Sequence, residues 1–598
     1  MEATWLQELV RAMPANDQQG TPRRPSGSRP VRSQTGGDTA HAKARRSCYC
    51  LLRAEYGCSP PVRVMSPRQS TLGGTLRSAG DASPIEVRRT LDSSLMSGIA
   101  WNAGAKSAGQ LLRWAATLIV ARILTPADYG LFGMATVFLG LVTLVSEFGL
   151  GSAVVALRDL SDEAIAQINS LSLLFGVAAF AASIGAAGPL GRFFHSPQLP
   201  PVIMVLAAGF LIGAFKTVPS ALLERDLRFK TLALVDAGQA LVLAAAMVAV
   251  ALLGFGYWTL VFGELLSAAL STTAIVAVRR HAFAWPRPRT LGPALTFSAH
   301  LIGSRLCWYL TSNADFAVAG RLLGKAALGA YSFAWTIAEV PLDRICALVT
   351  RVTPAVFSAV QRDHAALRRY VLRITEGLAL LAWPAGFGMA LVARDLVLVV
   401  LGDQWRATVG PLQVLGVSAA LRSVIPIVPQ VLFIVGESRR AFRYGVLGVL
   451  IMPVSFWLLG RHWGATGIAA AWLLASPLLT IPVLWLVFRR IHLPVRAYFQ
   501  ALWPALSACV LMSAGVLGLQ RVLDLHWAPL PRLVVTALAG AAIYALACLV
   551  FHRARIEAFY RFLRDARSLE RRKSSLLEQA PGGEGQLPPS NPGPREAQ

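Results

Sequence analysis

From Leu95 to residue 552 the chain is a succession of apolar runs of about 20 residues or more, parted by short polar breaks. That pattern constrains the fold more than any other feature. A run of this length matches the α-helix needed to cross the hydrocarbon core, and a backbone in lipid must satisfy its own hydrogen bonds. With 55% hydrophobic and only 15% charged residues over 598 positions, and a mean hydropathy of +0.52, most of the chain belongs in a bilayer. The fold class is therefore an all-α polytopic membrane protein. Fourteen candidate spans are read, at 95–123, 129–156, 165–188, 201–222, 230–253, 256–278, 293–318, 326–351, 371–393, 407–435, 441–460, 464–488, 496–520 and 530–552.

The loops carry the orientation. Those after even-numbered spans hold most of the arginine and lysine, among them Arg225, Arg228 and Lys230, then Arg279, Arg280, Arg287 and Arg289, then Arg439, Arg440 and Arg443. Loops after odd-numbered spans are poorer, with Arg192, Arg321 and Lys325, Arg394 and Arg406, Arg461 and Arg521. The asymmetry predicts both termini in the cytoplasm of a bacterial inner membrane. It also accounts for the net charge of +25 without nucleic acid, because the basic residues cluster in loops and tails. The seven cysteines are scattered, which argues against a disulfide framework, and Cys48-Tyr-Cys50 lacks metal-ligand spacing.

Residues 1–90 are rich in Arg, Ser, Pro and Gly and are expected to be a disordered basic extension. One reading lays it on anionic lipid headgroups; the preferred one treats it as an extension from a start chosen too far upstream, with Met65 or Met96 as alternatives. Beyond it, the first span carries an unusual polar stripe. Asn102, Lys106, Gln110 and Arg113 recur at spacings of four, four and three, so they share one helix face. A lysine near the centre of a spanning helix costs about 2.5–3.5 kcal/mol to insert and is expected to face protein or water. Such a stripe predicts a lined cavity.

The chain also repeats itself. At an offset of 199 residues Ala121-Arg122-Ile123-Leu124 reads against Gly320-Arg321-Leu322-Leu323, and Ala127, Gly130 and Ala135 meet Ala326, Gly329 and Ala334. The same offset sets Lys106 opposite Arg305. Six spans separate the copies, so the halves share one orientation and relate by an axis along the membrane normal. The predicted organisation is a bundle over 91–290, a second over 291–490, two additional spans over 491–552 and a cytoplasmic tail over 553–598.

The stretch LIVARILTPADYGLFGMATVFLGLVTLVSEFGLGSAVV, followed by ERDLRFKTLALVD, resembles bacterial polysaccharide flippases of the multidrug/oligosaccharidyl-lipid/polysaccharide exporter superfamily, nearest the exopolysaccharide and colanic-acid type. The resemblance implies two pseudo-symmetric six-helix bundles around a cavity, and translocation of an undecaprenyl-diphosphate oligosaccharide between leaflets. Glycosyltransferases and a polymerase are the implied partners, beside the membrane lipids.

The residues themselves fit such a substrate. An anionic diphosphate needs cations in an apolar wall; Lys106 and Arg305 are the candidates, with Arg113 extending the stripe and Lys216 at one mouth. Asn102, Gln110, Asn313 and Trp308 are candidates for hydrogen bonding to or stacking on sugars. Asp236 and Glu264, with Glu147 and Asp315, are candidates for a coupling H+ or Na+, although no motif identifies the ion. The competing reading pairs Lys106 or Arg305 with Asp315, Asp236 or Glu264 for helix packing alone. Pro426 and Pro429 bracket one turn and predict a hinge. No phosphate loop, metal-ligand spacing or catalytic constellation is found, so neither enzyme activity nor a cofactor is expected. The rivals are a cation-coupled multidrug exporter, whose cavity would be acidic, and a membrane polymerase or glycosyltransferase, which needs larger external loops.

Overall fold

The computed structural model describes residues 110–557 apart from 111, 148, 158–159, 351–352, 354–356, 359, 362, 524–526 and 556. The described residues are helical almost throughout. In chain order the helices are α1 (residues 112–123), α2 (Pro126–Glu147), α3 (Leu150–Ala156), α4 (Asp162–Phe193), α5 (Leu199–Arg225), α6 (Phe229–Leu252) and α7 (Trp258–Val278). They continue as α8 (Pro288–Thr350), α9 (His364–Val400), α10 (Val409–Arg422), α11 (Ile427–Ile434), α12 (Ser438–Leu474), α13 (Ser476–Arg490), α14 (Val495–Leu523) and α15 (Pro529–Phe551).

Helix starts follow from local chemistry. Ser161 caps α4 by accepting the Ala164 amide at 3.2 Å, and Asp162 and Glu163 in the first turn complement the helix dipole. Asp363 caps α9 by accepting the amides of Ala365 and Ala366, both at 2.9 Å; these bonds, that from Ala366 foremost, hold its carboxyl below the usual range. Proline in the first turn opens α5, α13 and α15, where its missing N–H has no partner to lose.

Ten of the described helical segments are long and apolar enough to cross a membrane. The outer surface is apolar as well: Leu241, Leu478, Leu538, Leu546 and Phe551 are all more than half exposed, which suits lipid as the solvent. Sequence and structure divide the helices differently for physical reasons. Most of the first span lies outside the described residues. The seventh and eighth spans fall in the single run α8, which is bent at Gly324 (φ 80) and carries Arg305, Asp315, Arg321, Lys325 and Glu339. The eleventh and the start of the twelfth share α12, bent at Gly464 (φ 61), and the rest of the twelfth lies in α13. Both bends use the left-handed backbone that glycine adopts without strain.

The repeat becomes a contact in three dimensions. A Cβ on Gly130 of α2 would fall on the Lys325 carbonyl of α8, and a Cβ on Gly329 would fall on the Pro126 carbonyl of α2. Under the 199-residue offset Gly130 corresponds to Gly329 and Pro126 to Lys325, so each contact is the image of the other, as a twofold axis through the crossing requires. The arginines beside it behave alike. Arg122 donates to the Val399 carbonyl at 3.0 Å, at the end of α9, and Arg321 lies 2.8 Å from His195 Nε2, just past the end of α4. Gln404 donates to the carbonyls of Arg122 and Leu124 at 3.0 and 3.1 Å, and Lys325 donates to Gln198 at 2.7 Å. Fully buried Trp405 donates to the Ala121 carbonyl at 2.8 Å. One face of the molecule is thus clasped from both sides.

Two last helices are fastened to α9. Arg532 of α15 forms a bidentate, buried ion pair with Asp395, its Nε bond measuring 2.8 Å. From α14, Gln520 donates to the Leu391 carbonyl at 2.9 Å.

Candidate functional site

A cavity of about 740 Å³ lies within the first half. It runs from Phe132 and Leu206, near the clasped face, to Ser146–Ser152 and Ser220–Glu224 at the opposite end of α2, α3 and α5. Small residues on these helices make the space: Gly140, Gly149, Gly151, Gly176, Gly209 and Gly213 all line it. Thr136, Thr143, Ser146, Ser152 and Thr217 make much of the wall hydroxylic.

Among the described residues two cations line it. Lys216 of α5 donates to Ser271 of α7 at 3.1 Å. Arg305 of α8 is the contribution of the second half to this wall. Its helix is held by Tyr309, one turn on, whose hydroxyl donates to the Val137 carbonyl at 2.7 Å. Gly140 allows that docking, since a Cβ there would strike the Tyr309 ring. Glu147 stands within electrostatic reach of both Lys216 and Arg305, and Glu224 and Glu264 complete the charged lining.

The structure thus brings Lys216, Arg305, Glu147 and Glu264 to one cavity. Asn102 and Lys106 lie outside the described residues. The other sequence candidates stand apart from this wall. Arg113 donates to Gln110 at 3.1 Å along their own helix. The Asn313 amide is spent on the Tyr309 carbonyl at 3.0 Å. Trp308 is 69% exposed among apolar neighbours on the surface, and Asp236 is exposed on α6. Among the described residues Asp315 is not paired with Arg305; it is wholly buried and accepts from Tyr331 at 2.6 Å and Trp472 at 3.0 Å.

Around Asp315, one of the coupling candidates read from the sequence, is a second polar centre whose other members sequence reasoning missed. Arg422 of α10 pairs with Glu339 of α8 and stacks over Trp472 and Trp335, with its guanidinium carbon 4.4 and 5.2 Å from the ring centroids. Its parts come from both arms of α8 and from α10 and α12, so no local spacing announces it. Arg422 in the middle of the tenth apolar span, 407–435, was the available signal.

Arg422 also ends α10 immediately before the break. Residues 423–426 are turn, and Pro429 lies in the first turn of α11. A Pro426→Ala/Pro429→Ala double variant is expected to slow transport several-fold while keeping its level in the membrane; unchanged transport in a vesicle assay would remove the hinge.

The arrangement has the fold of the multidrug/oligosaccharidyl-lipid/polysaccharide exporter superfamily. Lipid II flippase MurJ, in an inward closed conformation, superposes with a TM-score of 0.62 at 12% identity, over 76% of this chain and 100% of that one. An inward-facing multidrug MATE transporter superposes with a TM-score of 0.51 at 19% identity, over 64% and 94%. The polysaccharide biosynthesis protein family matches residues 119–410. Lipopolysaccharide biosynthesis protein WzxC of Escherichia coli (strain K12) is 24% identical over 396 residues, 64% of this chain and 79% of that protein. Succinoglycan biosynthesis transport protein ExoT of Rhizobium meliloti (strain 1021) is 24% identical over 449 residues, 74% and 90%. In sequence and in fold the chain is similar to the polysaccharide-flippase side of that superfamily.

Proposed function

We propose that this chain flips an undecaprenyl-diphosphate-linked oligosaccharide across the bacterial inner membrane for exopolysaccharide assembly, by alternating access. The observation that carries the reading is the cavity wall shared by Lys216 and Arg305, two cations from different halves in a membrane-embedded space. Arginine offers a planar fork and lysine a point charge, which together suit a diphosphate. The substrate's polyprenyl tail stays in lipid while its headgroup enters the cavity. Lys106 stands opposite Arg305 in the repeat and joins them as a diphosphate contact.

The reciprocal contacts at Gly130 and Gly329 favour two six-helix bundles, 91–290 and 291–490, related by an axis along the membrane normal and rocking against one another, with two further helices over 491–552. The positive-inside asymmetry places the termini in the cytoplasm, so the clasped face is periplasmic and the cavity mouth beside Glu224 is cytoplasmic. Completed units arrive from glycosyltransferases and leave to a polymerase. Coupling to H+ or Na+ is assigned to Asp315: two buried acids, Asp315 and Glu339, stand near one guanidinium, that of Arg422, which is ion-paired with Glu339, and a bound cation would balance the other acid. Glu147 faces the diphosphate cations and Asp236 lies outside the cavity.

A multidrug exporter would take cationic substrates; Lys216 and Arg305 count against that reading, whereas Glu147, Glu224 and Glu264 on the same wall count for it. Lys106→Ala and Arg305→Ala should each lower flipping of a fluorescent lipid-linked oligosaccharide in vesicles by about tenfold or more, equivalent to at least about 1.4 kcal/mol, with normal protein in the membrane. Wild-type rates in both variants would remove this site.

A further inference from the structure

The charges in the cavity are ordered by depth. Lys216 lies seventeen residues into α5, about 25 Å along the helix from the clasped face, and Glu147 ends α2 at about 31 Å. Glu264 lies six residues into α7, about 9 Å from that face. Glu264, Ala268 and Ser271 form one stripe on α7, and Ser271 is the hydroxyl that holds Lys216. The deep end therefore presents a carboxylate beside Phe132, Thr136, Leu206 and Gly209, with the described cations left at the shallower level.

We infer that Glu264 reads the sugar: it accepts hydroxyl or ammonium donors from the distal residues of the oligosaccharide and rejects sugars that carry a carboxylate. This rests on the flippase reading above. With the diphosphate held at Lys216 and Arg305, the glycan extends toward the clasped face and its far end meets Glu264. A carboxylate accepting from a sugar hydroxyl makes a strong, charge-assisted bond. A uronic acid at the same place brings like charges together and loses the donor, and a site built for a donor discriminates sharply against a group that lacks one. Glu264 is thus a specificity-determining residue, separate from the diphosphate contacts.

The test uses the full chain in vesicles with two polyprenyl-diphosphate trisaccharides that differ only in a terminal hexose or hexuronate. The wild type should flip the neutral lipid about tenfold faster or more, and Glu264→Gln should bring the two rates together chiefly by raising the hexuronate rate. Glu264→Asp, which keeps the charge, should keep the preference and guards against a folding defect in the amide variant. Equal rates in the wild type, or an unchanged ratio in Glu264→Gln with intact neutral flipping, would overturn the proposal. Failure of the wild type to flip either lipid would overturn the flippase reading instead, and this assignment with it.

Discussion

Gly130→Ala and Gly329→Ala are each expected to destabilise the clasped face by about 1–3 kcal/mol, the usual cost of overpacking, and to cut transport about tenfold. At both positions the new methyl meets a partner backbone carbonyl, Lys325 in one case and Pro126 in the other. A flexible side chain can swing away; a helix backbone must move as a whole. Because the two contacts are images across one crossing, a single separation of α2 from α8 relieves both. The double variant should therefore cost little more than either single one, the signature of coupled sites. Cysteine labelling at Lys325→Cys should rise in the glycine variants as that face loosens. Additive losses, or labelling that does not change, would show that the two glycines act separately.

Breaking the Arg532–Asp395 pair should have the largest effect on stability. Both residues are at least nine-tenths buried and their hydrogen bonds are bidentate. Asp395→Asn removes the buried carboxylate that Arg532 grips, at a cost of about 3–5 kcal/mol for a buried pair. The expected result is a marked fall in melting temperature in detergent, with α14 and α15 becoming more open to proteolysis. Replacing both, as Asp395→Leu with Arg532→Met, should recover much of the loss, since a packed apolar pair often equals a buried ion pair. A double variant as unstable as Asp395→Asn would mean that the pair contributes more than mutual neutralisation.

What the sequence revealed depended on how local the signal was. Arg305 was legible because an arginine amid an apolar run must be explained, and Lys216 for the same reason. Gly130 and Gly329 were legible as a register in the repeat, although nothing in sequence said that they touch. The Asp315 centre was opaque, because Tyr331 and Trp472 look like ordinary core aromatics until α8 and α12 bring them to one carboxylate. Trp308 misled: it is exposed on α8 and does not line the cavity that Arg305 reaches. The helix count was blurred where glycine bends, at Gly324 and Gly464, join two spans into one continuous run.

The most direct test of transport is made on cells that lack this chain. Their lipids are extracted, polyprenyl-diphosphate oligosaccharides are quantified by leaflet, and surface polysaccharide is assayed in parallel. The account predicts accumulation of completed single repeat units in the cytoplasmic leaflet, with surface polymer lost. Completed units reaching the periplasmic leaflet at the normal rate would contradict it.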